Sequence, residues 1–284
     1  MGREFNMRLL TTLTLIALIT LSSYPFSFCD ALTDSPQMVD VGGYSLNIAI
    51  SGTGSPTVVF ESGMGATMQS WGRVQAEVAG FTQVVTYDRA GMGKSEQGPL
   101  PRSSERIAVE LHTALKNVSV TPPYVLVGHS IGGIHIRVFA KMYPKEVAGI
   151  VLIDPSSEDF FKQLEVRFPE LWKKIKEMEG RGLSLAPQGV RRELEAIDLD
   201  INQAKAAWPL PAVPVVLITS TYAAPLTTPE SRDLWLELHK RFLKRVPNAK
   251  HVVTEKSGHF IHSQEPELVT EAIRDIVNQV NRRK

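Results

Sequence analysis

The chain has 284 residues, 43% of them hydrophobic, enough to bury the core of one large α/β domain. Its 31 basic and 30 acidic residues leave a formal charge of +1, which gives no electrostatic case for a nucleic-acid partner. Cys29 is the only cysteine, so no internal disulfide and, if the leader is removed, no thiol nucleophile is available.

Arg3 and Arg8 precede the apolar stretch Leu9 to Leu21, which Ser22-Ser23-Tyr24-Pro25 then breaks. Thirteen helical residues span roughly 20 Å, short of the roughly 30 Å hydrocarbon layer of a bilayer. Residues 1–31 therefore read as a secretory signal cleaved after Cys29 or Ala31, with Met7-Arg8 as an alternative start. The expected location is secreted or periplasmic. The alternative is an uncleaved N-terminal anchor, which would be the chain's sole membrane contact.

Met38–Val41 and Tyr44–Ile50 are short β-rich runs around a Gly42-Gly43 turn. Thr57–Phe60 and Gln83–Tyr87 are continuous apolar runs of the kind buried on both faces in a parallel sheet. Ser103 caps a helix through Ile107, Leu111 and Leu115, and Asn117-Val118-Ser119 is a glycosylation sequon. Strand Tyr124–Val127 leads to helix Ile131–Tyr143, and strand Gly149–Ile153 leads to a long insert. Strand Val215–Thr219 precedes a helix entered at Thr228-Pro229, and His251–Thr254 precedes the last helix, opened by Pro266. A hairpin followed by alternating strand and helix predicts an α/β fold. It has a mostly parallel central sheet of about eight strands, helices on both faces, and a helical lid after the sixth strand. The core is expected at 38–155 and 214–284 and the lid at 156–213. Within the lid, Phe160, Phe161, Leu164, Phe168, Leu171 and Trp172 recur at helical spacing, and Gly180 and Gly182 are expected to interrupt the helix.

Gly128-His129-Ser130-Ile131-Gly132 joins a predicted strand to a predicted helix. A serine is a poor nucleophile until a base takes its proton and the backbone lifts its oxygen clear. A sharp strand-to-helix turn does the lifting and needs residues without bulk at the flanking positions. It also sets Ser130 at a helix N-terminus, where unpaired N–H groups favour developing negative charge. Gly91-Met92-Gly93-Lys94-Ser95 is no phosphate loop. Asp88 stands where the first glycine is needed, and Gly98, Pro99 and Pro101 forbid the helix that should follow.

Four segments in order resemble the α/β-hydrolase family: Ser62-Gly63-Met64-Gly65, Asp88 to Ser95, Gly128 to Gly132, and Ser257-Gly258-His259-Phe260. The resemblance implies Ser130 as nucleophile and His259 as base, with His262 as rival. It also implies an oxyanion hole from the backbone N–H groups of Met64 and Ile131. The family's usual acid after strand Val215–Thr219 is missing. Asp154, at the end of the preceding strand, takes that role, with Glu230 and Asp233 as alternatives. His129 reads as a spacer, and His112, His135, His239 and His251 as ordinary. A serine at the elbow argues against the dehalogenases and epoxide hydrolases of this fold, which carry aspartate there. The expected function is a cofactor-free, metal-free serine hydrolase of the esterase-like branch, taking a small ester or acyl substrate through an acyl-enzyme. Haloperoxidase, thioesterase, lactonase and amidase chemistry share the same machinery. The alternative from another class is a non-catalytic protein that binds a small ligand.

Overall fold

The computed structural model describes residues 35–183, 185–222, 228–247 and 249–283. The expected signal segment, 1–31, lies outside them.

The first hairpin forms where Asp40 can cap its own turn. Its carboxylate accepts the N–H groups of Gly42 and Gly43 at 3.0 and 3.1 Å, and both glycines take positive φ (119° and 96°). Glycine is the residue that adopts this backbone without steric cost. Strands β1 (Gln37–Asp40) and β2 (Ser45–Ser51) pair antiparallel across it. The remaining strands are β3 (Thr57–Glu61), β4 (Val84–Tyr87), β5 (Tyr124–His129), β6 (Val147–Ile153), β7 (Val215–Ser220) and β8 (Lys250–Thr254). They complete an eight-stranded sheet in the order β1-β2-β4-β3-β5-β6-β7-β8. β2 pairs antiparallel with β4, and every pairing from β4 through β8 is parallel.

Helices cover both faces because the central strands are apolar on both sides, as parallel crossovers require. On one face, α2 (Ser104–Asn117) and α3 (Gly132–Met142) bury Leu111, Leu115, Ile136 and Phe139 against Val59, Leu126 and Leu152. On the other, α1 (Gly72–Ala79) and the C-terminal helix Pro266–Asn281 bury Val74, Val78, Ile273 and Ile276 against Phe60, Val127 and Val151. The caps are those the sequence implies: Ser103 Oγ accepts from Arg106 N, and Thr228 Oγ1 from Ser231 N at 3.2 Å.

Between β6 and β7 lie α4 (Phe160–Arg167), α5 (Pro169–Leu183), α6 (Gln188–Glu195) and α7 (Ile197–Ala206). After β7 comes α8 (Pro229–Lys244), then the single turn α9 (Ile261–Gln264), then the C-terminal helix, α10.

Three details depart from the sequence expectations. Helix α1 and the 3-10 turn Met68–Trp71 before it were unforeseen, although parallel β3 and β4 demand a crossover. Only Val74 and Val78 of α1 are buried, too short a pattern to read. Helix α5 runs through Gly180 and Gly182, because a glycine costs a helix about 1 kcal/mol without forbidding it. The partner of the aromatic stripe, a helix that follows β7, was also unforeseen. Phe160, Phe168, Leu171 and Trp172 pack with Leu164 against Leu234 and Leu238 of α8.

Because β3 and β5 through β8 run parallel, the segments after them all emerge at one sheet edge. Ser62 to Met64, Ser130, Asp154, Thr221 and Ser257 to His259 therefore meet there.

Candidate active site

Ser130 is held at φ 54°, in the left-handed region, between the end of β5 and the start of α3. Few non-glycine residues occupy that region, and its strain is retained where surrounding structure overdetermines it. Here Ser130 N donates to Ile153 O at 3.1 Å, while Ser130 O accepts from Gly133 N and Ser156 N at 3.0 Å each. The flanking glycines are needed for closeness. A Cβ on Gly128 would lie 2.7 Å from Gly132 O, and one on Gly132 would lie 2.7 Å from Ser62 O. Asp154, at the end of β6, is also left-handed, with φ 40°.

The three side chains form one line. Asp154 Oδ2 is 2.7 Å from His259 Nδ1, and His259 Nε2 is 2.9 Å from Ser130 Oγ. The ionised carboxylate only accepts, so Nδ1 carries its hydrogen and donates; Nε2 is then the lone-pair nitrogen that accepts from Ser130 O–H. Asp154 is fully buried and makes three further bonds. Ser220 N and Trp235 Nε1 donate to Oδ1, and Arg232 Nη2 donates to Oδ2, each at 3.0 Å. Burial opposes its ionisation, but the hydrogen bond from His259 and then the charge of Arg232 outweigh it and hold the carboxyl below its usual value.

The structure separates the rivals. His262 is buried with its ring 4.7 Å from that of Trp71, and burial pushes it down to about 3. Glu230 sits in the first turn of α8, so the helix sends Arg232 and Trp235, not Glu230, to the acid. His129 is more than a spacer: its Nε2–H donates to His259 O at 2.9 Å and ties the base's loop to the elbow. Burial first, then His262 and His259, keep His129 well below the usual histidine value, hence neutral. His135 and His239 are buried within ordinary hydrogen bonds to Ser104 and to Thr219 and Pro155 O. No three His, Cys, Asp or Glu side chains gather as a metal set among the described residues.

The loop after β3 lies against the elbow: a Cβ on Gly63 would sit 2.8 Å from His129 Nδ1 and 3.5 Å from Ser130 Cβ. Among the described residues, no protein acceptor meets the N–H of Met64 or of Ile131. The Met64 side chain packs between two patches of the insert, with Val190 and Leu194 on one side and Ile197 and Ala204 on the other.

The segment Asp88 to Ser95 is a self-bonded turn. Asp88 accepts from Met68 N, Asn47 Nδ2 and Lys94 N, and Ser95 Oγ donates to Asp88 O. Sequence reasoning missed Arg232, Trp235 and Ser220 around the acid. Of these, only Trp235 left a trace in the sequence, as a large aromatic beside the inward-facing Leu234.

Comparison with known proteins agrees with this geometry. The sequence profile of the alpha/beta hydrolase family matches residues 58–272. The uncharacterized protein YqjL of Bacillus subtilis (strain 168) is 28% identical over 225 residues, spanning 79% of this chain and 85% of its own. A thermophilic esterase from Thermogutta terrifontis superposes with a TM-score of 0.60 at 20% identity, over 87% of this chain and 99% of its own. A Vigna radiata epoxide hydrolase superposes with a TM-score of 0.65 at 17% identity, over 86% and 98%. The structural likeness thus reaches different chemistries and shows the fold alone. By profile, topology and the order of its motifs, the chain belongs to the alpha/beta hydrolase family.

Proposed function

We propose that this alpha/beta hydrolase cleaves a carboxylic ester or related acyl bond of a small molecule through an acyl–Ser130 intermediate. The observation that carries the reading is the unbroken line from Asp154 through His259 to Ser130, at 2.7 and 2.9 Å. As Ser130 Oγ bonds to the carbonyl carbon, its proton passes to His259 Nε2, and the former carbonyl oxygen takes the negative charge. The free N–H groups of Met64 and Ile131 face that charge. Collapse breaks the bond to the alcohol, which leaves with the proton from Nε2. Water then attacks the acyl carbon by the same proton path and restores Ser130. Asp154 keeps the imidazole in the tautomer that accepts at Nε2 and stabilises the imidazolium.

A serine at the elbow supports acyl transfer over the aspartate-based chemistries of the fold. The binding-protein alternative was motivated by the lack of an acid after β7; with Asp154 against His259, that motive falls away. The proposal includes export, on the strength of Arg3, Arg8 and the short apolar run Leu9 to Leu21. Among the described residues no helix is long and apolar enough to cross a membrane.

A fluorophosphonate probe tests the reading. Stoichiometric labelling that Ser130→Ala abolishes is expected, together with turnover of p-nitrophenyl esters. Asp154→Asn should lower turnover by about three to four orders of magnitude in folded protein. Intact, folded protein that neither labels nor turns over any ester of the series would overturn it.

A further inference from the structure

Arg89 belongs to the turn after β4, yet its guanidinium reaches the loop beside Ser130. It is 2% exposed, and all five of its N–H groups are taken. Nη1 donates to Glu61 Oε1 and to Ser62 O, both at 2.7 Å. Nη2 donates to Gly63 O at 2.8 Å and to Glu193 Oε2 at 2.9 Å, and Nε donates to Glu193 Oε1 at 2.6 Å. Glu61 ends β3 and also accepts from Tyr87 Oη. Glu193 comes from α6 of the insert. The same helix touches the loop elsewhere, since a Cβ on Gly65 would lie 3.2 Å from Val190 Cγ2.

The bond to Gly63 O matters most. Gly63 C=O and Met64 N–H belong to one peptide unit, which is not among the cis bonds of the chain. In a trans peptide these two groups point in opposite directions. Fixing Gly63 O on the Arg89 side therefore fixes Met64 N–H on the other, and the neighbouring bond to Ser62 O holds the preceding unit as well. Five donors in one rigid plane suit this task, because a single group anchors two carbonyls while two carboxylates hold it in place.

We propose that Arg89, held by Glu193 of the insert, is a positioning residue that orients the Met64 N–H toward the oxyanion. The proposal rests on the hydrolase reading above and adds that oxyanion geometry is set jointly by a sheet-edge turn and an insert helix. A donor that acts on the oxyanion serves the transition state more than the bound substrate.

The test compares the parent with Arg89→Lys and Glu193→Gln. Turnover is measured per Ser130 titrated by fluorophosphonate, on a p-nitrophenyl ester, alongside the affinity of a trifluoromethyl ketone that forms a tetrahedral adduct. Lysine keeps the charge but cannot span both carbonyls and both carboxylates. For Arg89→Lys we expect kcat to fall about a hundredfold, KM to stay within about threefold, and ketone affinity to fall in parallel with kcat/KM. Glu193→Gln should show the same pattern at about tenfold, and it decides alone should Arg89→Lys not fold. A purely structural role would lower the titrated fraction and leave kcat per site and ketone affinity unchanged; that result would overturn the proposal. A parent that is inert toward fluorophosphonate and esters removes the hydrolase reading and this proposal with it. An active parent with unaffected variants removes this proposal only.

Discussion

Asp154 concentrates four donors on one carboxylate, and Arg232 is the one among them with a permanent charge. Arg232 is itself buried and also donates to Ser220 O at 2.6 Å. Replacing it with methionine leaves the buried carboxylate short of a charge partner, a change that typically costs about 3–5 kcal/mol. The three remaining donors place the expected loss near the lower end. The sign with pH follows from the depressed carboxyl of Asp154. A carboxylate favoured in the folded state contributes stability above its unfolded pKa, and that contribution fades as pH falls through the lower folded value. Urea unfolding of Arg232→Met against the parent should therefore show the full deficit at pH 7 and a shrinking one below about pH 4. A deficit that does not change down to pH 3 would show that Arg232 works by packing, not by charge. The pair Asp154 and His259 was legible because both follow strands of a family pattern. Arg232 was not: its partner is 78 positions away, and a cation on a surface-like helix carries no mark of burial.

The insert is tied to the core by buried polar contacts as well as apolar ones. Arg137 of α3 binds Glu158 before α4 and the carbonyl of Ala204 in α7, so it holds both ends of the insert to the helix that follows the nucleophile. Asp200 of α7 accepts from Ser104 N at 2.6 Å and from Ser104 Oγ at 2.8 Å, at the N-terminus of α2. Burial raises this carboxyl to about 6, against the lowering effect of those two bonds. A folded pKa above the unfolded one means the folded state binds the proton more tightly. Stability from this site is then greatest below about pH 4 and is lost as pH rises through about 6. Asp200→Asn, which keeps an acceptor oxygen toward Ser104, should remove that slope. At pH 7 the variant should match or exceed the parent by up to roughly 2–3 kcal/mol, and at pH 4 the difference should close. Chemical unfolding at the two pH values checks this, and a constant difference would contradict it. The existence and span of the insert were readable from its helical spacing. Its attachments were not, since Asp200 and Ser104 are distant in sequence and spacing within one element says nothing about partners on another.

At the scale of the molecule, eight strands with two apolar faces hold one polar edge, and scaffold and chemistry can be separated by substitution at two glycines. The sheet was legible in all eight of its strands because alternation and continuous apolar runs report burial directly; the order β4 before β3 was not, because pairing depends on where each crossover returns. Gly149 lies in β6, where a Cβ would collide with Ile276 Cγ2 of α10, far from Ser130 along the strand. Gly149→Ala overfills that interface and should cost about 1–3 kcal/mol, several degrees in Tm, with kcat per titrated Ser130 unchanged. Gly63 has an ordinary φ, so alanine adds no backbone strain there, but its Cβ would press on His129 Nδ1 at 2.8 Å. That contact is too short to persist, so the loop or the His129 ring must shift beside the nucleophile. Gly63→Ala should thus leave Tm within about 2 °C and lower kcat by about 10- to 100-fold, since such a misplacement is costly in a preorganised site. Melting curves and active-site-titrated turnover on the two variants should move in opposite columns. If Gly149→Ala slows each titrated site as much as Gly63→Ala does, the edge and its scaffold are one mechanical unit and the separation fails.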